Sequence, residues 1–318
     1  MSETPSVPAV LFIVFKRPET TRRVFESIRA AQPPVLYIAA DGPRVSRVGE
    51  ADLCATVRQI AQAVNWPCRV ELKLREQNVG IKTNVSQAIT WFLDAEGEGI
   101  ILEDDCCPSP EFFHFAATML KTYRTDTRIY HISGSCFQPK KRGKASYFFS
   151  RYNHGWGWAT WKRAWDRCDL SMETVDAFLH EAKRTLFWHS KQERRYWTKI
   201  FHEQKAGHID TWDYQWKYTL WRDGALAIYP NANMVSNLGF SNEGTNTVAH
   251  DSEKADRGWE TPVRGGISNA EWIHPEAMLR DVVADEWTFF NLYWGQPIQR
   301  MQSRARTLFS LMYSHTRR

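Results

Sequence analysis

The sequence predicts an α/β protein built on a doubly wound, mostly parallel sheet with helices on both faces. Three observations predict it. Short apolar, β-rich runs alternate with amphipathic helical stretches through the first half of the chain. One of those runs, Ile100-Ile101-Leu102, is continuously apolar, as strands buried on both faces of a parallel sheet are. With 318 residues the chain is long enough for one large core, or for one domain carrying a lobe.

Val7 to Phe15 is apolar and reads as the first strand. Pro18-Glu19-Thr20 opens a helix reaching about Ala30, with Val24, Phe25 and Ile28 inward, and Pro33-Pro34 ends it. Val35 to Ala40 is the second strand, closed by the turn Asp41-Gly42-Pro43. A helix from about Asp52 to Val64 precedes the third strand, Arg69 to Leu74. Asn78-Val79-Gly80 then leads into a helix from about Lys82 to Leu93, and the strand Ile100-Ile101-Leu102 follows. No GxGxxG and no P-loop follows any strand, so a nucleotide would be held by another device.

The second half differs in texture. A helix from Glu111 to Tyr123 and a strand from Ile129 to Ser133 lead to Lys140-Lys141-Arg142-Gly143-Lys144, a charge run expected to be a solvated loop. In the aromatic segment Tyr147 to Trp161, Gly155 and Gly157 point to a backbone that turns tightly and approaches a ligand closely. Trp161 and Trp165, at helical spacing, read as core. The stretch from 173 to 206 reads as helical and charged. Thr211 is expected to cap the next helix, with Asp213 in its first turn. Leu226 to Pro230 is a short strand, Asn231 to Asp251 a long loop, and a final helical region begins at Asp281. The tail Met301, Ala305, Leu308, Phe309 and Met312 keeps one apolar face among arginines; it is either a helix docked on its own protein or a basic helix lying on a membrane surface.

The strand Ile100-Ile101-Leu102 ends in three consecutive acids, Glu103-Asp104-Asp105. Such a strand delivers its last residues to the carboxyl edge of the sheet, where open α/β folds bind ligands. Acids crowded there repel one another and call for a cation. A hard divalent ion, Mg²⁺ or Mn²⁺, shared with a substrate's phosphates meets that need. The other reading is a solvated strand-end turn whose acids cap the helix opened by Pro108-Ser109-Pro110-Glu111. Asp41 and Arg17, at neighbouring strand ends, are either nucleotide contacts or turn residues; a carboxylate accepts from a pyrimidine N3–H, and an arginine lies over or beside a ring.

Composition narrows the partners. A net charge of +5 is modest for this length and no nucleic-acid signature, but it suits a phosphate-bearing partner or an anionic surface. Fifteen tryptophans offer flat apolar faces with one N–H donor, suited to sugar rings, bases or membrane interfaces. Six cysteines form no CxxC pair, and vicinal Cys106-Cys107 is poorly placed for a disulfide; free thiols in a reducing compartment are expected. The polar start Met1-Ser2-Glu3-Thr4-Pro5 has no signal-peptide pattern, and no run suffices to span a bilayer. The expected location is cytoplasmic, free or peripheral on the inner face of a membrane.

Taken in order, the motifs resemble those of GT-A fold glycosyltransferases, bacterial family-2-type enzymes and the related N-acetylglucosaminyltransferase I group. The first strand with Lys16-Arg17-Pro18 looks like their opening strand, and Ala40-Asp41-Gly42-Pro43-Arg44 like their uracil-contacting strand end. Asn78-Val79-Gly80-Ile81-Lys82 resembles the loop before their donor-binding helix. Glu103 to Phe113 is similar to the "EDD … P … FF" form of their DxD motif. Gly155-Trp156-Gly157-Trp158 and Thr211-Trp212-Asp213 look like the acceptor-side segment and the "WD" that carries the catalytic base. Asn237-Leu238-Gly239-Phe240 resembles the start of the loop that closes over the donor. The later Gly244-Thr245-Asn246-Thr247 departs from the pattern in lacking a histidine, for which His250 is a substitute candidate.

The resemblance implies a metal-dependent, inverting transfer of a sugar from a UDP-sugar to a hydroxyl of a saccharide or lipid-linked acceptor. Asp105 would ligate Mn²⁺ or Mg²⁺; Phe15, Arg17, Asp41, Lys82, Glu103 and Asp104 would bind the donor; Trp156, Gly157, Trp158 and Trp212 would face the acceptor; Asp213 would be the general base. The catalytic domain would cover residues 1 to 250, in a nucleotide half from about 7 to 125 and an acceptor half from 126 to 250. Residues 251 to 318 would form a helical extension. A nucleotidyltransferase on a similar sheet would use the acids and the metal but has no evident need of the Gly-Trp segment or Trp212-Asp213. A non-enzymatic carbohydrate-binding protein would leave the acid cluster unexplained.

Overall fold

The computed structural model of the chain describes residues 6–239 and 272–294. The first half alternates as the sequence predicts: β1 (Val10–Val14), α1 (Pro18–Ala31), β2 (Val35–Ala40), α2 (Glu50–Ala61), β3 (Arg69–Leu74), α3 (Ile81–Glu96) and β4 (Glu98–Glu103). Then come β5 (Cys106–Pro108), α4 (Pro110–Thr122), β6 (Ile129–Ser133), β7 (Tyr147–Ser150), β8 (Trp158–Trp161), α5 (Lys162–Trp165), α6 (Val175–Arg184), α7 (Lys191–Lys205), α8 (Asp213–Arg222), β9 (Leu226–Pro230), β10 (Val235–Asn237) and α9 (Val282–Thr288), which runs into a π-helical turn, Phe289–Tyr293. Eight strands form one sheet in the order β3-β2-β1-β4-β8-β6-β9-β7. Six of them run one way, while β8 and β7 run against their neighbours.

Strand periodicity divides the core in two. Val10, Phe12 and Val14 join Val24, Phe25 and Ile28 of α1, Val57 of α2 and Phe112 and Met119 of α4 on one face. Leu11 and Ile13 point the other way, toward Ile89 and Phe92 of α3 and the aromatic side chains of α5, α7 and α8. The sheet is thus covered on both sides, which is why the central strand β1 is apolar at every position.

Several elements differ from expectation for local reasons. The 173-to-206 helical stretch is two helices, broken before Ser190, whose side chain accepts from the Glu193 amide at 3.0 Å. Trp212, not Thr211, is the residue before α8; Thr211 instead donates its hydroxyl to the Asp213 carboxylate. The long loop after Pro230 contains β10, three residues pairing antiparallel with β5, too short for any periodicity to reveal. The expected final helix is present, with Asp281 capping α9 by accepting from the Ala284 amide at 2.9 Å. Its approach covers the sheet edge at β7, where the Asp281 amide donates to the Phe149 carbonyl at 2.8 Å. Gly244 to Thr247, His250 and the tail from Met301 lie outside the described residues.

The tryptophans are mostly core. Trp158, Trp161, Trp165, Trp197, Trp212, Trp216 and Trp221 are all buried. His131 of β6 joins them, stacked on Trp158 at 4.8 Å, its Nδ1 accepting from the Trp216 indole at 3.2 Å and its Nε2 donating to the His154 carbonyl at 3.0 Å. Burial pushes the His131 pKa down to about 3, and burial likewise holds His154 well below the usual range. Both rings stay neutral in the fold but take a proton near pH 6.5 once unfolded, so the unfolded chain binds more protons and stability falls as pH drops from 6.5 toward 3. Urea unfolding of His131→Gln should show a shallower loss between neutral and mildly acidic pH than wild type; equal slopes would exclude this contribution.

Candidate functional site

Parallel β1, β2 and β4 all end at the same edge of the sheet, and there the cleft opens. Strand order reverses here: β2 lies on one side of β1 and β4 on the other. A crevice at such a switch point is where open α/β sheets take ligands. The cleft holds about 240 Å³ and is lined by Phe15, Arg17, Asp41, Glu103 and Asp104, all expected from the sequence.

Asp104 is the hub. It accepts from the Phe15 amide at 3.1 Å and from both Nε, at 3.0 Å, and Nη2 of Arg17. The remaining Arg17 nitrogen, Nη1, lies 2.9 Å from Asp105 Oδ2. One planar guanidinium therefore bridges two acids and fastens the β1 end to the β4 end. Burial works against the Arg17 charge, but Asp104, Asp105 and Glu103 outweigh it and its pKa is raised. One cation facing the acid cluster is thus the protein's own arginine, which the sequence offers as a nucleotide contact or turn residue and not as a partner of the acids.

Glu103 is in a different position. Its carboxylate makes no hydrogen bond or ion pair to any described residue. Burial first, then the charge of Asp105, push its pKa up to about 8. Asp213 adds to that shift, so the start of α8 and the end of β4 lie within electrostatic reach of each other although 110 residues separate them. No described group of three His, Cys, Asp or Glu side chains is arranged to hold a metal ion by itself. The hard oxygen donors of Asp105 and Glu103 do suit a divalent ion that takes its other ligands from substrate phosphates and water, the usual manner of Mg²⁺.

Asp41 sits in the opposite wall, buried. Its Oδ1 accepts from the Gly42 amide at 2.9 Å and the Val79 amide at 3.1 Å, and its Oδ2 from Asn78 Nδ2 at 2.9 Å. Burial raises its pKa against the pull of those amides. Three of a carboxylate's roughly four acceptor positions are filled, so the residue is both turn anchor and cleft wall.

Other expected residues are placed differently. Lys82 begins α3 but does not line the cleft: Ile81, Asn84 and Val85 do, the i, i+3, i+4 face from which position 82 is rotated by about 100°. Asp105 lies behind Arg17, under Gly239, where any Cβ would meet its carboxylate. Trp156 is half-buried and packs edge-on to Phe137 at 5.3 Å, outside the cleft lining. Trp158 and Trp212, expected on the acceptor side, are buried, stacked on one another at 5.4 Å and outside the cleft lining. Gly157 does not line the cleft. With φ +63° its missing Cβ would sit 2.8 Å from Val235 of β10, and it is this contact that requires glycine. Gly157→Ala should lower the unfolding free energy by about 2–4 kcal/mol, left-handed strain plus overpacking. Gly207→Ala, at φ +76° in open space, should lose only the strain, about 1–2 kcal/mol. Equal losses in urea titrations would refute the packing role.

Asp213 does not line the cleft itself, but Asp210, three residues earlier, does, and its Oδ2 lies 3.4 Å from where a Gly80 Cβ would be. The segment from Asp210 to Asp213 thus borders the start of α3. One turn along α8, Lys217 is wholly enclosed: its Nζ donates to Asn153 Oδ1 at 2.8 Å and lies 5.1–5.3 Å from the rings of Tyr152, Trp197 and Tyr293. Burial pushes its pKa down to about 7 despite the charge of Asp213. Arg44 and Asn78 stand in the donor-side motifs but had no role of their own, and Asn84, Asp210 and Lys217 went unassigned; for Asn84 the helical register with Ile81 was the signal available.

No family model matches the chain, and no curated protein matches it in sequence. Among solved structures the chain is similar to one of GalNAc-T7 with UDP, GalNAc and Mn²⁺, at a TM-score of 0.41 and 12% identity over 72% of this chain. It spans 43% of the length of that protein. It is also similar to UDP-glucose pyrophosphorylase complexed with UDP-glucose, at a TM-score of 0.33 and 9% identity over 70% of this chain and 90% of the other.

Proposed function

We propose that the chain is a glycosyltransferase that moves a sugar from a UDP-sugar to a hydroxyl of a saccharide or lipid-linked acceptor with inversion. The observation that carries this reading is the meeting of Phe15, Arg17, Asp41, Glu103 and Asp104 in one cleft at the carboxyl edge of three parallel strands, with Asp213 within reach of Glu103. In the reaction the acceptor oxygen attacks the anomeric carbon, the bond from that carbon to the diphosphate breaks, and the acceptor proton passes to Asp213. Asp41 and Phe15 form the wall for the base. Arg17 holds Asp104 and Asp105 in place, and Glu103 faces the sugar hydroxyls. A divalent ion held by Asp105, when bound, supplies Lewis-acid stabilisation of the leaving diphosphate. The stacked Trp158 and Trp212 act beneath the reaction, fixing the start of α8 and so the direction of Asp213.

That burial also favours a second reading. With Trp158 and Trp212 in the core, the feature separating a glycosyltransferase from a nucleotidyltransferase is Asp213 alone. Products distinguish them. Incubation with a panel of sugar nucleotides and Mn²⁺ should release nucleoside diphosphate; formation of pyrophosphate from a nucleoside triphosphate and a sugar phosphate would establish the second reading instead.

A further inference from the structure

Helices α6 and α7 form a hairpin whose connecting turn carries Leu186, fully exposed at 103%. A lone exposed leucine needs no explanation. This one is held out on a rigid base. The carbonyl of the next residue, Phe187, accepts from Arg151 Nη1 at 2.6 Å, and the His189 amide donates to buried Glu193 at 2.9 Å. The Phe187 ring packs on Phe178 at 5.3 Å and Trp188 on Trp221 at 5.9 Å. The turn also touches the segment entering α9 through His189 and Arg280, and Leu279, Val282 and Val283 of that segment are exposed too.

Charge around the tip is mainly positive, with Glu181 the one exposed acid near it. Lys183, Arg184, Lys191, Arg194 and Arg195 flank it. The hairpin's acids are largely engaged: Glu193 is buried against Arg151, Asp176 pairs with Lys205 at 2.7 Å and with His202, and Glu203 pairs with Lys199 at 3.6 Å. Between the helices a depression of about 420 Å³ is lined by His180, Lys183, Arg194, Thr198 and His202, with Asp176, paired to Lys205, at its wall. An aliphatic tip ringed by cations has the chemistry of a contact with an anionic lipid surface: the leucine enters the interfacial layer while lysine and arginine meet headgroup phosphates. The chain's own tail, with Arg300, Arg304, Arg306, Arg317 and Arg318, carries the same sign and is a poor occupant.

We propose that the α6–α7 hairpin docks this protein on anionic membrane surfaces, with Leu186 inserted and Lys183 and Arg194 at headgroup level. Flotation of the full chain with vesicles of phosphatidylcholine, alone or with about one-third phosphatidylglycerol, tests it at about 0.05 M and about 0.5 M salt. Binding is expected on the anionic vesicles only, weakened by salt. Leu186→Glu and the pair Lys183→Glu/Arg194→Glu should each weaken partition about tenfold, and Leu186→Trp should strengthen it. All three side chains are at the surface or half-buried, and unchanged thermal unfolding of each variant shows the fold is kept. Equal binding to neutral vesicles, no binding by wild type, or variants that float like wild type would overturn the proposal; the last would place the contact elsewhere, as in the basic tail.

Discussion

Exchange of Asp213 for asparagine is expected to slow sugar transfer by about 10²–10⁴-fold while UDP binding stays near the wild-type level. The amide keeps the size of the carboxylate but cannot take the acceptor's proton. Its surroundings should survive the change: α8 is anchored by Trp212 and Trp216 in the tryptophan core and by the Trp216–His131 hydrogen bond. The Thr211 hydroxyl, which donates to this carboxylate, can donate equally to the amide oxygen. A pure loss of rate with unchanged donor affinity separates a base from a binding residue. If Asp213→Asn transfers sugar at full rate, the base is another group, and Asp210, which lines the cleft, is the next to test.

Arg17→Met should be the most destabilising single change at the cleft, lowering unfolding free energy by about 3–5 kcal/mol. The guanidinium answers Asp104 and Asp105 together, and Asp104 is almost wholly buried. Without it, three neighbouring acids share no cation, and Asp104 keeps only the Phe15 amide. For a chain of 318 residues the loss corresponds to a drop in Tm of about 5–8 °C. The double variant Arg17→Met/Asp104→Asn removes the buried charge along with its partner and should recover about half of the loss or more. A double variant no more stable than the single would show that Arg17 contributes packing and not charge compensation.

Much of the fold was readable in the residues. The boundaries of β2, β3, β6 and β9 coincide with the runs assigned to them, and the acid-tipped strand lies beside β1 as a buried parallel strand should. The cleft was readable for the same reason: residues that directly follow parallel strands must gather at one edge, so Phe15, Arg17, Asp41, Glu103 and Asp104 could be assigned together. Lys82 and Asn84 show where that logic ends. Both open the same helix, and only the phase of α3 against the sheet decides which faces the cleft. The tryptophans show it again. Indole suits a sugar and a core equally well, and nothing local to Trp158 reveals that Trp212, 54 residues on, will lie flat against it.

The sequence by itself determined the α/β class, the order of the first seven elements and the acid cluster at a strand end, because hydrophobic periodicity and strand polarity are local properties. Only tertiary structure decided that Arg17 spans Asp104 and Asp105, that Glu103 beside them pairs with no described residue, and that Asp213 comes within electrostatic reach of Glu103. Those outcomes depend on distances between segments far apart in the chain, set by how helices pack on the two faces of one sheet.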